Sequence, residues 1–239
     1  QNKITKSPDF HSSDALAQYV RRKGIEALVI GSDQVWRKAY SPCITNYFGD
    51  FLDKGSHIQR IAYAASFGSD EWEGNDAETI VCAQLAKDFR AVSVRETSGI
   101  ALCRTAFGID AIQVLDPTLL LDKKDYEAVV INSHTTPWAG NLNCYVLDHD
   151  IAVDSIIQQS ADRLNLQLFY TNETTSEQGV YQPSVEAWLR GFMDAQFIVT
   201  DSFHGCVFSI LFPASCYRHR NIRCSCSRAQ KELTSDDGK

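Results

Sequence analysis

Phe197-Ile-Val-Thr-Asp-Ser-Phe-His-Gly-Cys-Val-Phe-Ser-Ile-Leu-Phe212 joins a short apolar strand to an apolar helix. Residues 197–200 read as a buried strand, and the run from about Phe203 reads as a buried helix. A turn of this kind leaves the first backbone N–H groups of the helix unpaired, which makes an anion site. His204 sits in that turn, and its imidazole exchanges protons near neutral pH. An anion cradle beside a titratable ring suggests transfer chemistry on a phosphate- or carboxylate-bearing substrate. The same residues also fit a plainer reading, with Asp201 or Ser202 as a helix N-cap and His204 as a packed ring.

Working outward, strands and helices alternate along the chain. In the first half, residues 13–23 read as a helix ended by Gly24. Strands are expected at 26–30, 60–65, 90–94 and 111–115, with helices at 76–89 and 97–106. The helix at 76–89 is expected to bury Ala77, Ile80, Val81, Leu85 and Phe89 on one face. Asp116-Pro117 then interrupts the pattern. In the second half, strands at 144–147 and 166–170 flank a helix at 152–164, in which Val153, Ile156, Ile157 and Leu164 align. Pro183-Ser184 opens another helix, with Glu186 favourably placed in its first turn. Residues 132–143 and 172–182 read as loops. Such alternation predicts an α/β fold with parallel sheets and helices on their faces. The expected organisation is a first α/β lobe at 1–115, a linker at 116–125, a second such lobe at 126–212, and an irregular tail at 213–239.

Composition narrows the class. The 239 residues are enough for one large domain or two small ones, and the hydrophobic share of 44% is that of an ordinary globular core. A net charge of -7 argues against a nucleic-acid binder and against attraction to an anionic membrane. No run reaches the length of a transmembrane helix, and no signal peptide is expected. Of the eight cysteines, Cys43, Cys82, Cys103, Cys144 and Cys206 lie on mostly apolar stretches. They read as reduced, buried thiols of a cytoplasmic protein. Cys224-Ser-Cys226 is too closely spaced for an ordinary zinc site, so no metal is expected. Met193 is the single methionine, and a segment preceding Gln1 is expected. The tail from Pro213 shows no sustained apolar period and is expected to pack poorly, as an altered reading frame or misjudged gene end would.

The polar signatures share one placement, each directly after a strand. Gly31-Ser32-Asp33, Ser66-Phe67-Gly68, Arg95-Glu96, Asp116, and Asp201-Ser202 with His204 all fall there. Ligands of parallel α/β sheets bind at the carboxyl ends of the strands. These residues are therefore expected to gather at that edge of each sheet, with Arg95 and His204 facing one cleft between the lobes.

Together these residues resemble the polysaccharide pyruvyl transferase family. The matching pieces are Ile30-Gly-Ser-Asp-Gln-Val-Trp36, Tyr63-Ala-Ala-Ser-Phe-Gly68, Ser93-Val-Arg-Glu96, Leu115-Asp-Pro-Thr-Leu-Leu-Leu121 and Val199-Thr-Asp-Ser-Phe-His-Gly205. They occur in the family's order over roughly residues 25–212. The resemblance implies two Rossmann-like lobes in a GT-B-like arrangement, with the βα unit that opens the first lobe missing. It implies transfer of a pyruvyl group from phosphoenolpyruvate to a sugar of a cell-surface glycan precursor, in the cytoplasm. The acceptor would be a saccharide, free or lipid-linked. No cofactor is implied beyond the donor itself.

Under that resemblance His204 is the acid that protonates the enol carbon, and Arg95 grips the donor anion through its guanidinium. Asp33 accepts a proton from an acceptor hydroxyl or shapes its turn. Ser66 and Gly68 bring backbone N–H groups to a phosphate or form an ordinary turn. Ser202 belongs to the substrate-binding turn, where some relatives carry Arg-Leu-His against Ser202-Phe203-His204 here. Arg95 also fits an ion pair with Glu96 or Asp116, and Trp36 fits packing better than a sugar platform. The competing readings are a GT-B-like glycosyltransferase using a nucleotide sugar, and a non-catalytic truncated remnant.

Overall fold

Ser12 ends an extended approach and caps the first helix by accepting the Ala15 N–H at 3.2 Å, which starts α1 (Ser13–Lys23). Gly24 stops that helix in the left-handed conformation, returning its N–H to the last turn. The computed structural model describes residues 6–148, 150–172, 174–176, 179–212 and 215–217. The chain divides into two units, Gln1–Pro117 and Thr118–Lys239.

In the first unit, β1 (Ala27–Ile30), β2 (Gln59–Ala65), β3 (Phe89–Val94) and β4 (Ile112–Gln113) form one parallel sheet in that order. α2 (Asp76–Ala86) precedes β3, and α3 (Thr97–Leu102) runs into a π-helical turn at Cys103–Phe107 before β4. An Asn75–Glu78 capping box opens α2. The core beside this sheet is aromatic. Trp36 is 1% exposed, stacks on Phe48 at 5.1 Å, and packs against Phe67, Phe89 and Phe107. Its indole N–H finds the Tyr47 carbonyl at 3.2 Å. Trp36 is therefore a packing residue, held on both its apolar body and its polar tip.

In the second unit, β5 (Leu142–Tyr145), β6 (Leu168–Tyr170), β9 (Phe197–Thr200) and β10 (Ser215–Tyr217) form a parallel sheet of order β10-β9-β5-β6. α4 (Lys123–Ser133), α5 (Ile151–Leu164), α6 (Val185–Asp194) and α7 (Phe203–Leu211) accompany it. Period-two alternation sorts β5. Leu142 and Cys144 join the cluster containing Val153, Ile157 and Ala161 of α5, while Tyr145 packs with Trp188 and Phe192 of α6. The chain leaves β5 to one side, toward β6, and returns to pair β9 on the other. That reversal makes a topological switch point between β5 and β9.

Several details differ from the sequence expectation. The helix at 76–89 ends at Ala86, and its buried face is Cys82 and Ala86, while Ile80 is 60% exposed. Small residues can lie closer to the sheet than the branched chains one position away. Ala161 likewise takes the place expected of Leu164, which is exposed. β5 begins two residues earlier than the apolar run suggests, because Asn143 is buried within it and bonded to Thr171 at 3.0 Å. α4 begins in residues assigned to the linker, runs through 126–131, for which no element was expected, and ends in residues read as a loop. An Asp122–Asp125 capping box marks its start, but exposed Val129 and Ile131 beside buried Val130 hide its period. A β7 (Thr174–Ser176) and β8 (Gly179–Tyr181) hairpin stands within the stretch read as the loop 172–182. Apart from the short strand β10, the tail expected to pack poorly, with Cys224 and Cys226, lies outside the described residues.

The cysteine expectation is corrected at two positions. Cys43 is exposed, and Cys206 is disulfide-bonded. Apolar neighbours report burial and say nothing of redox partners. Cys82, Cys103 and Cys144 are buried free thiols, each pushed up to about 12 by burial. An unfolded thiol ionises near about 8.5. The fold therefore keeps protons that the unfolded chain releases, so this contribution to stability is complete below about pH 8.5 and lost as pH rises toward 12. Alkylation at pH 8 followed by peptide mapping should label Cys43 while leaving these three unmodified until the protein is denatured.

Candidate functional site

The loops after β1, β2, β3 and β4 meet at the carboxyl edge of the first sheet. Ala64 takes a left-handed backbone at φ 48°, where the β2–β3 register shifts. The Ser93 hydroxyl fills the interruption, accepting the Ala64 N–H and donating to the Ala62 carbonyl, both at 3.1 Å. Such a bulge re-aims the chain. Here Ser66 turns inward and is fully buried. Its hydroxyl donates to Glu96 Oε1 at 2.6 Å and accepts the Gly68 N–H at 3.0 Å. Its own N–H donates to the Asp33 carbonyl at 3.2 Å. The N–H groups of Ser66 and Gly68 are thus both bonded within the protein.

Arg95 lies beneath this turn and is 2% exposed. Its Nε donates to Glu96 Oε1 at 3.1 Å, and its Nη1 donates to Asp116 Oδ2 at 3.2 Å. Glu96 and Asp116 are themselves buried. The structure therefore shows Arg95 in the ion pairs that its neighbours in sequence allow, with one cation between two carboxylates. Asp33 is exposed, and its Oδ1 accepts the Gln34 N–H at 2.8 Å. The Gly31–Ser32 peptide beside it is cis.

The second edge is built around the switch point. Asp201 closes β9 and accepts the Leu147 N–H through Oδ1 at 2.8 Å and the Asp148 N–H through Oδ2 at 3.1 Å. It ties the loop after β5 to the turn after β9. Ser202 is the N-cap of α7, accepting the Gly205 N–H at 3.4 Å, and its own N–H is held by Thr200 Oγ1 at 3.1 Å. His204 follows in the first turn, half-buried, with its ring edge-to-face against Phe203 at 5.3 Å. Phe203 packs with Val207, Leu119 and Leu211 and fixes that turn. Gly205 lets α7 come close to the sheet. A Cβ there would collide with Thr200 Oγ1 and stand 3.1 Å from Tyr145 Cδ1.

Sequence reading therefore finds both loop clusters. It does not find Tyr145, which the close approach at Gly205 brings against the first turn of α7, or Arg37, which lies against Gly68. Arg37 directly follows the quoted run ending at Trp36, but nothing in the sequence ties it to Gly68. Among the described residues, no three His, Cys, Asp or Glu side chains come together as a metal site. No helix among them is long and apolar enough to cross a membrane.

Two parallel sheets accompanied by helices, with polar loops at their carboxyl edges and a histidine at a helix start, define an α/β protein. The family model for polysaccharide pyruvyl transferases matches residues 4–213, most of the chain, and the protein belongs to that family of transferases. No curated protein matches it.

Proposed function

We propose that this protein transfers a pyruvyl group from phosphoenolpyruvate to a saccharide of a cell-surface glycan precursor, with its two units as the lobes of a GT-B-like enzyme. The observation that carries the reading is His204 in the first turn of α7, at the switch point of the second sheet. The reaction adds a proton to the methylene carbon of the enol and a first acceptor hydroxyl to the central carbon. Phosphate then departs, and a second hydroxyl closes the ketal. His204 supplies the proton, and the start of α7 around Ser202 receives the negative charge of the donor. Asp33, exposed and anchored through one oxygen, accepts a proton from an acceptor hydroxyl. Arg95 supports the edge of the first sheet by holding Glu96, which in turn accepts the Ser66 hydroxyl that holds the turn at Gly68. The acceptor is a free or lipid-linked saccharide.

We place the reaction in the cytoplasm, on the strength of the donor. The disulfide at Cys206 is of a kind favoured in oxidising compartments and lends that placement no support.

The test is phosphate release from phosphoenolpyruvate in the presence of a panel of saccharide acceptors. Acceptor-dependent release is expected. Turnover of a nucleotide sugar, with phosphoenolpyruvate ignored, would replace this reading by glycosyl transfer.

A further inference from the structure

We propose that Arg37 is an anion-binding residue at the carboxyl edge of the first sheet, taking the phosphate or carboxylate group of a small substrate. The inference rests on the pyruvyl-transfer reading only for the identity of that anion. Arg95 is enclosed by two carboxylates, whereas the Arg37 side chain is 28% exposed. Its fork is set in advance. Nη1 donates to Gln34 Oε1 at 2.9 Å, and the guanidinium carbon lies 4.3 Å from the centre of the Tyr40 ring. Gly68, at φ +64°, makes room for it, since a Cβ there would stand 2.9 Å from Arg37 Cδ and collide with Gln34 Oε1. An arginine already stacked and hydrogen-bonded loses less freedom when a ligand arrives.

The same guanidinium has capacity left over. Nε is buried and makes no hydrogen bond. It stands 3.5 Å from Glu73 Oε1, an ion pair without hydrogen-bond geometry, while Glu73 Oε2 accepts the Ala39 N–H at 3.0 Å. Nε is thus turned to Glu73, and an incoming anion meets the exposed part of the side chain, where an anionic oxygen pair is the acceptor a guanidinium fits best. Glu73 opposes an incoming anion, which gives the test two signs.

The experiment is calorimetric titration of the full chain, Arg37→Gln and Glu73→Gln with phosphoenolpyruvate, inorganic phosphate and pyruvate separately. Arg37→Gln should weaken phosphoenolpyruvate binding about tenfold or more. Glu73→Gln should tighten it about two- to fivefold, a gain that misfolding does not produce. A loss shared with phosphate assigns the contact to the phosphate group, and one shared with pyruvate assigns it to the carboxylate. Equal affinities in all three proteins overturn the inference and leave pyruvyl transfer standing. Wild-type protein that binds phosphate through Arg37 but ignores phosphoenolpyruvate supports the inference and overturns that reading. Wild-type protein that binds none of the three anions overturns the inference.

Discussion

Arg95→Ala should destabilise the first unit by about 3–5 kcal/mol, the usual cost of removing one partner from a buried charge cluster. The guanidinium bridges Glu96 and Asp116, whose side chains are 9% and 0% exposed. Without it, two buried carboxylates lose the guanidinium that each of them pairs with. The Ser66 hydroxyl would still donate to Glu96, but one neutral hydrogen bond does not offset a buried charge. Denaturant unfolding measures the effect as a shift in midpoint. A companion variant separates charge from packing. Arg95→Met combined with Glu96→Gln and Asp116→Asn removes the charges together and should recover a large part of the loss. A fall in donor affinity from Arg95→Ala alone, with stability unchanged, would show that the guanidinium faces substrate and not the carboxylates.

His204→Gln should lower turnover by about 10²–10⁴-fold, the range for loss of a positioned general acid. Glutamine keeps hydrogen-bonding capacity and similar bulk but delivers no proton. The turn that carries it has supports besides the imidazole. Ser202 caps α7, Asp201 ties the neighbouring loop, and Phe203 anchors the first turn in its own cluster. Stability and donor affinity should therefore stay within a few-fold of wild type while the rate collapses. A rate that survives the change would remove the acid role.

The order of elements in the fold was legible because strand and helix periods differ and because the turn signals are strong. α1 spans residues 13–23 and ends at Gly24 as the sequence places it, and β9 with α7 follows the opening stretch residue for residue. What stayed hidden depends on packing distance. Cys82 and Ala86, not Ile80 and Val81, face the core, and Asn143 enters a strand with its amide oxygen accepting the Thr171 hydroxyl of the neighbouring segment. At the candidate site the polar residues after each strand were legible as a group. Their hydrogen bonds were not. No spacing rule says that the Ser66 hydroxyl points at Glu96, or that a bulge at Ala64 turns it there. Arg37 went unread for the same reason, since its link to Gly68 exists only in three dimensions.

The most direct test of the central claim is to run the reaction in heavy water with phosphoenolpyruvate and a saccharide acceptor, and to read the product by mass spectrometry. Pyruvyl transfer with protonation at the methylene carbon predicts an acceptor carrying a pyruvate ketal whose methyl group holds one deuterium, released with one phosphate. His204→Gln should form that product far more slowly. A product that gains a sugar from a nucleotide donor, or no ketal under any acceptor while the folded protein binds phosphoenolpyruvate, would contradict the account.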